Sequence, residues 1–231
     1  MKHKLKTALL FLFIFLSVKT VISQSLKPND KLALLKGVVT NFKGKPLASE
    51  IIMFSNDKTK AVVKINTDAN GKFEVLVPVN ATYSLKYKNF TTDMEYTKMA
   101  VPADKDATYE VAIKIDPPKD FVLDNVYFDT GKSTLKANSF KALNDLVEIL
   151  KIKKTMVVEI QGHTDDVGKE EENLKLSQDR ASEVRKYLIS KGIDAARVSA
   201  KGYGQTMPIA YNTDEAGKSK NRRTSLKVIK E

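Results

Sequence analysis

The chain contains no cysteine, so it forms no disulfide and offers no thiolate to a metal. It also lacks the cysteine on which a bacterial lipoprotein carries its acyl anchor. Histidine is nearly absent: the two residues are His3 and His163. A zinc site built around a single histidine beyond the N-terminal segment would need an unusual ligand set. Hydrolases need a nucleophile with a base or a metal-bound water. With no Ser-His-Asp or Cys-His constellation to assemble, the chain is not expected to be an enzyme. Asp165 and Asp166 remain as a carboxylate pair, but neighbours on one loop tend to point apart, whereas glycoside hydrolysis needs two carboxylates facing one bond. Beyond the first residues no apolar run approaches the roughly 20 residues of a membrane helix.

The one strongly apolar run lies at residues 8–16, behind Lys2, Lys4 and Lys6. It is too short to span a bilayer, and Lys19 interrupts its continuation. Val21 and Ser23 supply small residues before a cut at Gln24, so residues 1–23 read as a secretory signal peptide. The mature chain is then expected to be exported, and either soluble or attached to the envelope by something other than its own lipid or helix. Removing those four lysines takes the formal charge from +11 to about +7. A basic exported protein is drawn to anionic surfaces such as wall polymers. The lysines are scattered rather than striped, which argues against nucleic acid as a partner.

What remains falls into two regions. Residues 34–116 alternate apolar and polar positions between turn signals, the pattern of half-buried strands. Strands are read at 36–40, 50–54, 61–65, 72–78, 82–87 and 109–115, six of seven or so short strands at this spacing, which argues an all-β sandwich. Asp68 with Asn70 and Gly71 reads as a tight turn rather than a calcium loop. Pro117 and Pro118 mark a linker at 117–120.

From residue 121 to 231 the pattern alternates strands with helices. A strand at 122–128 ends at Asp129. Phe140, Leu143, Leu146, Val147 and Leu150 then recur at helical spacing, with Ser133 and Thr134 as cap candidates. A strand at 156–160 stops at Gly162. A polar loop and a helix with Leu176, Ala181, Val184 and Leu188 follow, ending at Lys191 and Gly192. A strand at 197–204, a polar loop and a last strand at 223–229 complete an α+β, two-layer βαβαββ order. Asp165 and Arg180 stand at a spacing that lets a strand end and the following helix bring opposite charges together. The pair suits a zwitterionic ligand, or a structural ion pair.

Two sets of motifs carry family resemblances. Gly37, the Gly44-Lys45-Pro46-Leu47 turn and the run from Thr67 to Phe73 resemble the carboxypeptidase regulatory-like (transthyretin-like) sandwich. Asn125 to Asp129, Gly162-His163-Thr164-Asp165, Asn173, Leu176-Ser177, Arg180-Ala181, Gly202-Tyr203-Gly204 and Asn221-Arg222-Arg223 occur in order over about 110 residues. Together they resemble the OmpA C-terminal domain, shared with Pal and MotB, which binds peptidoglycan.

That resemblance implies a ligand, the diamino acid of the stem peptide, meso-diaminopimelate in most Gram-negative walls. Arg180 offers a planar fork for its carboxylate, and Asp165 an acceptor for its ammonium. Asp129 would add a second acceptor, Thr164 and Asn173 hydrogen bonds, Leu176 an apolar contact, and Arg222 a second cation. No cofactor or metal is implied. Two or three charge-assisted bonds of about 1.5–3 kcal/mol each, offset by ordering and desolvation, give about micromolar to millimolar affinity per site. A repeating polymer turns such sites into firm attachment. The competing expectation is an envelope scaffold working through the sandwich, with the second domain only as its anchor. A further tension is that Asp166 and Glu170 to Glu172 make the loop acidic beside a carboxylate-bearing ligand.

Overall fold

The computed structural model describes residues 26–90 and 92–230. The expected signal peptide lies outside the described residues.

The first half is built from seven strands in two sheets. One sheet has the order β4-β1-β7, with β1 at Leu32–Thr40, β4 at Lys72–Pro78 and β7 at Thr108–Lys114. The other runs β3-β2-β5-β6, with β2 at Ile51–Asn56, β3 at Val62–Asn66, β5 at Ala81–Lys88 and β6 at Asp93–Val101. Inward residues of both sheets, among them Leu35, Val39, Phe54, Phe73 and Tyr83, share one core, as the alternation requires. The residue 67–71 turn is a turn: the Asp68 carboxylate accepts from the backbone N–H of Asn70 and Lys72, both at 2.8 Å. Strand β6 was not legible as a strand. It is an edge strand with exposed side chains along nearly its whole length, so no alternation marks it.

The second half forms a four-stranded sheet of order β10-β9-β11-β8. Its strands are β8 at Asp120–Val122, β9 at Val157–Gly162, β10 at Val198–Gly202 and β11 at Thr224–Lys230. Helix α1 spans Phe140–Ile152 and α2 spans Glu170–Ser190. Leu143, Leu146 and Leu150 of α1 and Ala181, Val184 and Leu188 of α2 pack in one core with Val158, Ile160 and Leu226 of the sheet. Helix α2 closes as its sequence indicates, with Gly192 at φ +89° just beyond it.

Three local expectations need correction. The strand expected at 122–128 stops at Val122: Leu123 still donates to Thr224 O, but Asn125 adopts φ +65° and residues 124–128 leave the sheet to wall a cleft. Ser133 and Thr134 cap no helix. A short 3-10 turn at Ala137–Ser139 leads into α1, and the Ser139 hydroxyl instead bonds the Tyr127 backbone. The polar loop before β11 contains a third helix, α3, at Glu215–Asn221. It is too short to show an apolar stripe. It is held by the Asp214 carboxylate, which accepts from Gly217 N–H at 2.7 Å, and by the buried Asn221 amide, which bonds Ile209, Ala210 and Asn212.

The halves touch beside the two-proline segment. Phe90 of the sandwich packs edge-on against Phe121, with centroids 4.6 Å apart. The buried Glu50 carboxylate accepts from Lys153 Nζ at 2.5 Å, and Ile51 packs against the second core.

Candidate functional site

Two glycines set how closely α2 lies on the sheet. A Cβ on Gly162 would come within 2.1 Å of the Ser177 carbonyl oxygen, and one on Gly202 within 2.4 Å of Gln178 N. The helix therefore rests directly on the ends of β9 and β10. Side-chain bonds fix it there: Ser177 Oγ accepts from Gly204 N–H at 2.9 Å, and Gln178 Oε1 from Gly202 N–H at 2.8 Å. Arg180 follows about three turns into α2, one turn after the Ser177 that rests on Gly162.

Beside Arg180 lies an open cleft of about 1300 Å³. Thr164, Asp165, Asn173, Leu176, Arg180 and Arg222 all line it. Asp129 is not among its lining residues, although Phe128 and Thr130 are. Its backbone closes a turn instead, donating to Thr134 O and accepting from Lys132 N. The exposed Asp166 and Glu170 to Glu172 also stand outside the lining.

The charges are not paired as the spacing suggested. Asp165 is bonded to Arg222, whose Nη1 donates to Oδ2 at 2.7 Å, while Oδ1 accepts from Val167 N–H at 3.2 Å. Arg222 Nη2 also donates to Glu215. Both bonds raise its pKa, Asp165 foremost. Arg180 has no carboxylate partner among the described residues. Its Nε donates to Lys132 O at 3.0 Å, and its guanidinium carbon lies 5.1 Å from the centre of the Phe128 ring. Burial lowers its pKa, and nearby Arg222 adds to this, against Asp165. It remains a cation near neutral pH, half-buried, with both Nη groups left for a ligand.

The polar residues divide between bracing and lining. Asn173 is a brace: its amide nitrogen donates to Val167 O at 3.1 Å, to Gln205 Oε1 at 3.0 Å and, longer, to Asp165 O at 3.4 Å. Thr164 lines the cleft without bracing it: its hydroxyl oxygen is buried and has no partner among the described residues. His163 faces elsewhere, 2% exposed, stacked on Tyr203 with centroids 5.5 Å apart and bonded through Nε2 to Ser225 Oγ at 3.0 Å. Burial, and then Arg223, lower its pKa to about 4. No cluster of three metal-ligating side chains occurs among the described residues, and no helix among them is long and apolar enough to cross a membrane.

Residues 127–222 match the OmpA family. This segment is an OmpA-like domain. The match takes in most of the cleft lining, from Tyr127 to Arg222. Among curated relatives, outer membrane protein A of Bordetella avium is 36% identical over 46% of this chain and 54% of its own length. The peptidoglycan-associated lipoprotein of Pseudomonas aeruginosa is 37% identical over 44% of this chain and 60% of its own. The chain thus spans less than two thirds of either relative. Among solved structures, the peptidoglycan-associated lipoprotein of Burkholderia pseudomallei is 32% identical over 48% of this chain and 90% of that one, with a TM-score of 0.41.

The sequence did not single out Glu215, Phe128 or the Lys132 carbonyl of the OmpA-like domain. Glu215 carried a signal, since Asp214 is a capping residue type directly before it. The other two act through a ring face and a backbone oxygen, and only the path of residues 128–132 reveals them.

Proposed function

We propose that the OmpA-like domain anchors this protein non-covalently to peptidoglycan in the cell envelope, by binding the free zwitterionic end of the stem-peptide diamino acid. In walls of the Gram-negative type that residue is diaminopimelate. The observation that carries the reading is the half-buried guanidinium of Arg180, without a carboxylate partner, on the cleft that also presents the Asp165 carboxylate. A carboxylate of the ligand takes the fork of Arg180 in two parallel bonds. The adjacent ammonium takes Asp165, whose oxygens keep lone pairs beyond those used by Arg222 and Val167. The Thr164 hydroxyl, buried in the free protein, supplies a further bond by turning toward the ligand, and Leu176 packs against the methylene chain. Similarity to proteins named peptidoglycan-associated lipoproteins supports the same reading.

The domain recognises and does not react. The buried His163 stands outside the cleft lining, which agrees with a recognition role. We place the protein, exported, in the periplasm and associated with the outer membrane. No metal or cofactor is needed for this work.

Sedimentation with purified sacculi tests the reading. Wild type is expected to pellet with the wall, and Asp165→Ala and Arg180→Ala to stay largely in the supernatant. If both variants sediment as fully as wild type, this cleft is not the wall site.

A further inference from the structure

The guanidinium of Arg222 is held from two sides by carboxylates of very different burial. The Asp165 side chain is 11% exposed and is fixed by a second bond from Val167 N–H. The Glu215 side chain is 76% exposed and, among the described residues, bonds only to Arg222. Both glutamate and arginine line the cleft that holds Arg180. An exposed ion pair of this kind is weak and easily screened, so Glu215 can release Arg222 at little cost. It stands where a carboxylate arriving from outside would meet the second arginine of the cleft.

We infer that Glu215 is an internal carboxylate which occupies the Arg222 end of the cleft in the free protein and yields its place to a carboxylate of the bound wall peptide. The inference rests on the peptidoglycan reading above and adds a selection rule to it. A ligand with two carboxylates can satisfy Arg180 and Arg222 together, and so gains from displacing Glu215. A ligand with one carboxylate fills Arg180 alone and leaves Glu215 in place. Glu215 thus lowers affinity for dicarboxylic diamino acids while leaving monocarboxylic ones untouched.

The experiment compares binding of meso-diaminopimelate and of D-lysine by calorimetry for wild type, Glu215→Gln and Glu170→Gln. Glu170 is an exposed glutamate outside the cleft, so its variant removes the same charge without touching Arg222. The Glu215→Gln variant is expected to bind meso-diaminopimelate ~3- to 10-fold more tightly, the scale of a lost surface-pair competitor. D-lysine affinity, and both affinities of Glu170→Gln, should match wild type. Equal or weaker binding of meso-diaminopimelate by Glu215→Gln overturns the inference while leaving the wall site standing. Equal tightening by Glu170→Gln overturns it in favour of bulk charge. If wild type binds neither compound, the cleft reading fails and the inference with it.

Discussion

The Asp165 carboxylate is bonded at 2.7 Å to Arg222, 57 residues further along the chain, and not to Arg180 on the helix that follows its own loop. The consequence is a division of labour between two arginines. Arg222 holds a buried carboxylate in place, and Arg180 is left open. Removing Arg222 should therefore act first on stability. Arg222→Ala is expected to cost ~1–3 kcal/mol in urea denaturation, because a mostly buried carboxylate loses its partner. Asp165→Asn in the same background should recover part of that loss, and a strictly additive double variant would show that the pair is incidental.

The orphan hydroxyl of Thr164 gives the opposite signature. A buried hydroxyl without a partner contributes nothing to the free protein and carries a desolvation cost. Thr164→Val is thus expected to leave the melting temperature equal or higher, by up to ~1–2 kcal/mol of stability, while weakening sedimentation with sacculi. A variant less stable than wild type would mean that the hydroxyl is bonded in solution.

His163 makes stability depend on mild acid. Its folded pKa of about 4 lies below the ordinary 6.5, so between these values the unfolded chain binds more protons than the folded one. The contribution is complete above pH 6.5 and is lost as pH falls toward 4, up to about 3 kcal/mol. His163→Gln, which retains an amide to face Ser225, should flatten the difference in stability between pH 7 and pH 5. Parallel pH profiles for variant and wild type would reject this account.

Lys153 tests the joint between the halves. Its ammonium and the Glu50 carboxylate are both largely buried, at 12% and 4% side-chain exposure. Lys153→Met removes the cation from that pair and is expected to cost ~1–3 kcal/mol. Tryptic cleavage at the exposed Lys119, in the segment beside the joint, should speed up with it. An unchanged cleavage rate would show that the pair does not hold the halves together.

How much of this was legible follows from what sequence patterns encode. The stripes Leu143, Leu146, Leu150 and Ala181, Val184, Leu188 gave two helices because each buries one face. The alternating strands of the sandwich gave themselves away for the same reason, and β6 escaped because both its faces are wet. Six cleft-lining residues could be named from spaced motifs. Which charge meets which could not. The distance from Asp165 to Arg222 along the chain says nothing until α3 and the 209–212 loop are folded, and those are built by a cap and a buried asparagine rather than by any periodicity. Where Asp129 stands was illegible for a related reason. The chain turns out of the sheet at Asn125, so alternation from β8 no longer fixes where its side chain points.

The contacts of Phe90 with Phe121 and of Glu50 with Lys153 bracket the short stretch containing Pro117 and Pro118. A pull on the sandwich would load these contacts in shear before the proline segment came under tension. With the cleft fastened to a wall strand, the sandwich would not swing on a loose leash. Its heading relative to the strand would be set at the joint, and a steady force would have to break an aromatic contact and a buried ion pair before the two halves could turn independently.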